Sequence, residues 1–278
     1  MSNAASTEFT VPCKLKMSND DYHGHPAVGS TSLKNILRSP AHYKYELESP
    51  HDPTPALVFG TACHESLLEP DLFSKRVVVR PKFEGEGSRA AREKWHLENG
   101  HKTIVTEEQL EHIKGILRSV SKHKTARGLL AGGHSEESYF DQCPETGLIR
   151  KVRPDFSRQG HIIVDLKTTI DAEPETFRRD IARYKYHLSG AYYLDVVSAV
   201  TGEKFNQFII IAVEKSPPYG VSVHLLDEGT VDAGRFLYKK ALKILKECKE
   251  KNEWPAYPDR ILNSAIPHYA FPQEESAI

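Results

Sequence analysis

Sulfur is scarce in this chain, and almost none of its charge is left uncancelled. The 278 residues include four cysteines, and Cys13, Cys63, Cys143 and Cys248 are scattered without a CxxC pair. That spacing argues against a disulfide framework, a zinc site or an iron–sulfur cluster, and suits reduced thiols in a cytoplasmic protein. No apolar run reaches the roughly 18 residues a transmembrane helix needs, so no membrane association is expected. No charged–apolar–cleavage pattern opens the sequence, so a secreted protein is not expected either. Thirty-seven basic side chains nearly cancel thirty-eight acidic ones, for a net charge of −1. A global positive field is missing. Any grip on a polyanion must come from local patches, or from several subunits facing a shared channel.

What is present sorts into helical and strand-like segments. Ser30-Thr31-Ser32-Leu33 running into Lys34-Asn35-Ile36-Leu37 predicts an N-cap and first helical turn. Ser39-Pro40-Ala41-His42-Tyr43 predicts a second helix with proline near its start. Leu57 to Leu68 reads as a buried helix, with Gly60 and Ala62 permitting close packing and His64 on one face. Pro81 to Gly100 reads as a mobile loop entering a helix, and Thr106-Glu107-Glu108 opens another that runs to about His123. Glu136 to Phe140 is expected to be the first strand and Leu148 to Phe156 the next, with a turn at Ser157-Arg158-Gln159-Gly160. Glu173 to Thr201 reads as mostly helical, Phe205 to Val213 and Gly220 to Leu226 as strands, and Asp232 to Asn252 as a last long helix. This order predicts the α/β class with a mixed sheet. Residues 1–25, which open on a Ser2-Asn3-Ala4 resembling a tag remnant, are expected to be disordered, and residues 26–272 to form one domain.

The strongest signal is chemical. Asp155 follows Arg153-Pro154, and ten residues later Ile162-Ile163-Val164 leads into Asp165-Leu166-Lys167-Thr168-Thr169. The β-branched run predicts a buried strand. Along a strand, residues i and i+2 share a face, so Asp165 and Lys167 project together, and the preceding strand can bring Asp155 beside them. Two facing carboxylates repel unless a cation lies between them. Carboxylates and water favour Mg²⁺, with Mn²⁺ able to substitute. Such an ion can polarise a phosphodiester and activate water. Lys167 is expected to orient that water or neutralise developing charge, with burial lowering its pKa enough to help remove a proton.

Three further stretches carry a family resemblance. Gly60-Thr61-Ala62-Cys63-His64-Glu65-Ser66-Leu67-Leu68-Glu69-Pro70 resembles the motif before the core of RecB-type nucleases in the PD-(D/E)XK superfamily. Tyr186-His187 through Ala191-Tyr192-Tyr193, and the ending Asn252-Glu253-Trp254-Pro255-Ala256-Tyr257, resemble RecE-like exonucleases (the exodeoxyribonuclease VIII group). The resemblance implies a PD-(D/E)XK core: a mixed central sheet flanked by helices, with helical N-terminal and loop insertions. It implies that His64, Asp155, Asp165 and the Leu166 carbonyl ligate the metal and that Lys167 serves the attacking water. Glu137 is implied to assist the metal, with adjacent Glu136 as the alternative, and Tyr193 to act from the following helix. One departure stands out: Ser189 occupies the position, four before Tyr193, where RecB-type nucleases usually carry glutamine.

The implied activity is Mg²⁺-dependent degradation of one strand of linear double-stranded DNA, in the 5′ to 3′ direction. The 3′ overhangs left would pass to a RecT-like single-strand annealing protein for recombination. The implied assembly is a ring-like homo-oligomer, a trimer or tetramer. A structure-specific endonuclease on the same core, or a catalytically silent DNA-end-binding subunit, are the competing readings. For DNA contact the candidates are Arg178, Arg179 and Arg183 after the DxK strand, Arg89 and Arg92 in the polar loop, and Ser30 and Ser32, whose helix N-terminus offers amides to a phosphate. Each basic cluster equally fits a solvated helix face, and the serines equally fit capping.

Overall fold

The segment Ile162–Thr169 is the axis of the molecule, whose computed structural model describes residues 10–49, 53–85, 88–158 and 160–267. The chain begins with β1 (Cys13–Leu15), α1 (Asn19–Gly24), α2 (Ser30–Arg38), α3 (Pro40–Glu48), α4 (Pro55–Leu68) and α5 (Pro70–Arg76). It continues through β2 (Val77–Val79), α6 (Ser88–Asn99), β3 (Thr103–Val105), α7 (Glu107–Lys122), α8 (Lys124–Leu129) and β4 (Gly133–Ser135). Then come β5 (Ser138–Gln142), β6 (Ile149–Val152), β7 (Phe156–Arg158), β8 (Ile162–Thr169), α9 (Pro174–Arg183) and α10 (Tyr186–Thr201). The last elements are β9 (Gln207–Glu214), β10 (Val221–Leu225) and α11 (Glu228–Lys251).

Strand β8 occupies the middle of a five-stranded sheet ordered β10-β9-β8-β7-β4. It runs parallel to β9, with Asp165 opposite Ile210 and Lys167 opposite Ala212. It is antiparallel to β7, whose last rung pairs Phe156 with Val164. A second sheet, β1-β5-β6, is antiparallel, and β2-β3 form a parallel pair. The class is the expected one, a mixed α/β sheet flanked by helices.

Both faces of the central sheet are covered, which is why β8 and β9 read as near-continuous apolar runs. Ile163, Phe208, Ile210 and Ala212 face a core shared with Leu33 and Ile36 of α2, Phe177 of α9 and Leu188 and Tyr192 of α10. Val164, Leu166, Ile211 and Val213 face the other way, onto Phe59, Ala62 and Cys63 of α4 and Ile113 and Ile116 of α7. Each fully buried aliphatic side chain there contributes roughly 1.5–3 kcal/mol. By this alternation Asp165 and Lys167 fall on the α2/α10 side. The helices are well capped: Thr106 and Gln109 close a capping box on α7, and Ser39 caps α3 through the His42 amide. Each cap is worth about 1 kcal/mol.

Helices α10 and α11 approach so closely that a Cβ on Gly234 would lie 2.1 Å from the His187 carbonyl oxygen, a backbone atom that cannot swing aside. Gly234→Ala is expected to destabilise the protein by about 3 kcal/mol in urea unfolding. An unchanged midpoint would mean the two helices part without cost.

Several boundaries differ from those the sequence predicts. The segment Leu148 to Phe156 is two strands in two sheets: β6 pairs with β5 and β7 pairs with β8. The break falls at Pro154, which has no amide to donate. The Arg153 guanidinium is diverted to Ser138 Oγ at 2.8 Å and to the Met17 and Ser18 carbonyls at 3.1 and 3.2 Å. Glu136 to Phe140 is likewise not one strand, because Glu136 takes a left-handed φ of 54° between β4 and β5. The predicted turn shifts later. Ser157 and Arg158 belong to β7, Gly160 and His161 make the turn with φ of 89° and 61°, and Gln159 lies outside the described residues. Ser30 does not cap α2; Gly29 holds that position and makes no side-chain cap. Residues 1–9 lie outside the described residues, but residues 10–25 are built into the fold. Strand β1 pairs with β5, Cys13 opposite Phe140, and Tyr22 is buried against that ring. Among the described residues no helix is long and apolar enough to cross a membrane. The four thiols are free, and burial pushes the Cys63 pKa up to about 12.

Candidate functional site

The divergence of β7 from β8 builds the site. Beyond the Phe156–Val164 rung the next inward amide of β8, that of Leu166, has no strand partner on that side. Asp155 satisfies it: Oδ2 accepts from Leu166 N–H at 2.6 Å. The carboxylate is thereby pinned against the DxK strand. Helix α4 crosses the same end of the sheet and brings His64 Nδ1 to 3.5 Å from Asp155 Oδ2. Glu136, whose amide donates to the Asp155 carbonyl at 3.3 Å, adds a third group. One ligand atom each from His64, Glu136 and Asp155 lie within 4.8 Å of one another. A left-handed non-glycine residue costs of order 1–3 kcal/mol and points to a functional constraint, and here it aims Glu136 into the cluster.

Beside this trio, Lys167 Nζ forms a tight ion pair with Asp165 Oδ2 and donates to the Leu166 carbonyl at 3.3 Å. The Tyr186 ring sits under it, 5.5 Å from Nζ. The i, i+2 geometry read from the sequence therefore holds. So does the approach of Asp155 to the DxK strand, and the two aspartates sense each other's charge.

Electrostatics divides the carboxylates. Burial raises the Asp155 pKa, but His64, Lys167 and the Leu166 amide outweigh it and hold the group at about 2. Burial, with the neighbouring Asp155 charge, pushes Glu136 up to about 8. Asp165 is also raised, by burial and by Asp155, against the pull of Lys167. His64 is raised because Asp155 overcomes the cost of burying an imidazolium. Burial alone would lower the Lys167 pKa, yet Asp165 raises it above the ordinary lysine value. The expectation of a depressed lysine, able to remove a proton, is therefore corrected: Lys167 stays charged.

The remaining sequence candidates fall into two groups. Tyr193 lies close to the site, its phenol pKa raised by burial and by the Asp165 and Asp155 charges. Ser189, one turn earlier in α10, is buried. Glu137 does not belong. It pairs with Lys14 at 2.7 Å and accepts from Tyr139 Oη at 3.0 Å. Its neighbour Glu136 is the residue that joins the cluster. Arg89 and Arg178 are exposed and paired with Glu93 and Glu175 on their own helices. Arg92 lies over Phe83, Arg183 over Tyr184, and Arg179 is exposed. Ser32 is half-buried one residue before Leu33. Sequence reasoning named Tyr186 only within the resemblance, and assigned neither it nor Lys34 a place at the site. A signal for Lys34 existed, since it stands one helical turn after Ser30 on α2.

The donor set fits a hard divalent cation. Two carboxylates and an imidazole have converging ligand atoms, and Glu136, which keeps its proton at neutral pH, is the carboxylate whose charged form an ion there would stabilise. Asp165 is held by Lys167 and is the less accessible ligand. The Leu166 carbonyl already accepts from Lys167.

Comparison with known proteins bears on the fold and the family. A crystal structure from Eubacterium rectale, titled "Putative exonuclease", superposes with a TM-score of 0.62 over 91% of this chain and 97% of that one, at 15% identity, and so shares the fold. The crystal structure of SSO0001 covers 79% of this chain and 90% of its own at 15% identity, but its TM-score of 0.29 carries no argument. No curated protein matches the chain. A family model described as "PDDEXK-like domain of unknown function (DUF3799)" matches residues 29–262. The chain that folds Asp155, Asp165 and Lys167 into one site thus belongs to that PDDEXK-like family.

Proposed function

We propose that the chain is a divalent-metal-dependent nuclease, and within that class an exonuclease on linear double-stranded DNA. The observation that carries the reading is the convergence of His64, Glu136 and Asp155 within 4.8 Å, beside a charged Lys167. Family membership and the shared fold support the nuclease class.

His64, Glu136 and Asp155 would hold the ion, with Asp165 as an added ligand once Lys167 turns to substrate. When bound, the ion supplies Lewis acidity toward a phosphoryl oxygen and a more acidic water. Lys167, kept cationic by its partner, offsets charge that grows on the phosphate as its bond to the leaving oxygen breaks. Tyr193, close enough to sense the Asp155 and Asp165 charges, adds a phenolic hydrogen-bond donor at the edge of the carboxylates. The arginines of α6 and α9 are exposed, and those paired with Glu93 and Glu175 would exchange these surface partners for the backbone of a long substrate.

The finer reading follows the RecE-like resemblance: Mg²⁺ as the working ion, 5′ to 3′ digestion leaving 3′ overhangs, and hand-over to an annealing protein. It also takes from that resemblance a homo-oligomeric ring that retains the DNA. The test is end-labelled linear duplex beside closed circular DNA, with Mg²⁺ and with excess EDTA. Release of nucleotides from ends, loss in EDTA and an intact circle are expected. Cleavage of the circle would replace the exonuclease with an endonuclease, and activity in EDTA would remove the metal mechanism.

Metal binding should depend on pH with a definite sign. Glu136 retains its proton up to about pH 8 in the metal-free site, and that proton must leave before the oxygen can ligate. His64, whose pKa Asp155 raises, must shed its proton as well. Mn²⁺ affinity is therefore expected to rise with pH, by about tenfold or more per unit while these protons are bound, and to level off above pH 8. Mn²⁺ titrations read by electron paramagnetic resonance at pH 6.5, 7.5 and 8.5 check this. A flat profile would mean Glu136 is not a ligand.

A further inference from the structure

Lys34 points to a phosphate subsite that the metal cluster does not include. It stands on α2, and its Nζ lies 5.3 Å from the centroid of the same Tyr186 ring over which Lys167 sits at 5.5 Å. Two ammonium groups thus share one aromatic ring at the border of the site. Lys167 has Asp165 as its partner, whereas Lys34 has no carboxylate partner among the described residues. Lys185, the left-handed residue before α10, adds a third nearby positive charge. Burial and these two lysines make the Lys34 charge costly, bringing its pKa down to about 8 against the weaker pull of Asp165. A half-buried cation held among other cations, with one shared carboxylate, is an arrangement that an incoming anion stabilises.

We infer that Lys34 is a phosphate-binding residue, holding a non-bridging oxygen of the DNA strand on the α2/α10 side of the Asp165–Lys167 pair. This rests on the nuclease reading above and adds a residue to it. Lys34 and Lys167 lie within 5.5 Å of the same Tyr186 ring centroid, so the strand would be gripped at two points along its backbone, one at the reacting phosphate and one near it. The phosphate held by Lys34 is either an internal phosphodiester or a 5′-terminal phosphate. Both present the same oxygen chemistry.

The experiment compares the wild type with Lys34→Met and Lys34→Arg, using linear duplexes bearing a 5′-phosphate or a 5′-hydroxyl. Binding is measured in EDTA across a salt series, and cleavage in Mg²⁺. Lys34→Met, which keeps the aliphatic cover of Tyr186, is expected to lower kcat/KM by roughly ten- to a hundredfold. It should also reduce the slope of log Kd against log salt by about one phosphate contact. Lys34→Arg should retain both, and the Mn²⁺ affinity of either variant should be unchanged. A loss confined to the 5′-phosphorylated duplex identifies the terminal phosphate; an equal loss on both duplexes identifies an internal one. If Lys34→Met binds and cleaves within about twofold of wild type, with an unchanged salt slope, the inference is overturned while the nuclease reading stands. A wild type that neither binds nor cleaves DNA would overturn both. Should Lys34→Met melt early, Lys34→Gln carries the same expectations.

Discussion

Asp155→Asn is expected to lower the rate of metal-dependent DNA cleavage by at least about a thousandfold, and to lower the melting temperature only through the lost attraction to His64 and Lys167 that holds the Asp155 pKa at about 2. Asparagine can still accept from the Leu166 amide, so the bond that fixes the end of β7 against β8 survives. What is lost is the negative charge that a cation and the His64 imidazolium both require. A Lewis-acidic ion contributes several kcal/mol of transition-state stabilisation. About 4 kcal/mol corresponds to the stated factor. Asp155→Ala should be equally inactive but less stable, because it also leaves the Leu166 amide without its acceptor, a loss of roughly 1–3 kcal/mol. Measured rates on end-labelled duplex, with thermal melts of both variants, separate the two effects. An Asp155→Asn protein with near-normal rates would show that the carboxylate is structural.

Glu136→Gln and Glu137→Gln, adjacent in sequence, are expected to behave in opposite ways. Glu136→Gln should weaken Mn²⁺ binding by roughly 10- to 100-fold and abolish most cleavage, a magnitude typical of disturbing a metal shell. It should also stabilise the metal-free protein at pH 8. The sign follows from proton linkage. The folded-state pKa of about 8 lies above the ordinary 4.5, so the folded protein binds the proton more tightly. Stability therefore falls as pH rises from about 4.5 to 8. The glutamine variant has no such proton to lose and escapes this cost, which is of order a few kcal/mol. Glu137→Gln removes the partner of Lys14, Tyr139 and His134, none of which is in the cluster, and should leave cleavage within about threefold. Urea unfolding at pH 5 and pH 8 and metal titrations test both halves. Equal effects of the two substitutions would refute the assignment of Glu136.

The legible part of this molecule was the part governed by local periodicity. A buried β-branched strand followed by Asp-x-Lys dictates that Asp165 and Lys167 share a face, and they do. Helices α3, α7 and α10 announced themselves through proline, capping residues and apolar spacing. Glu136 was not legible from periodicity, because its left-handed φ removes it from the two-residue alternation that would otherwise separate it from Glu137. The split of Leu148 to Phe156 into two sheets was visible only as Pro154, and a proline alone does not say that the chain changes sheets. Strand β1 was unreadable locally, since its partner β5 lies more than a hundred residues away in sequence. Lys34 was hidden for the same reason: only the packing of α2 against α10 places it over Tyr186. The charge state of Lys167 depended on Asp165 outweighing burial, a balance that spacing along a strand cannot reveal.

Anomalous diffraction from crystals soaked in Mn²⁺ tests the central claim most directly. An anomalous peak bonded to His64, Glu136 and Asp155, with Lys167 beside it, is the predicted result. No peak at saturating Mn²⁺, or one held by other side chains, would contradict it.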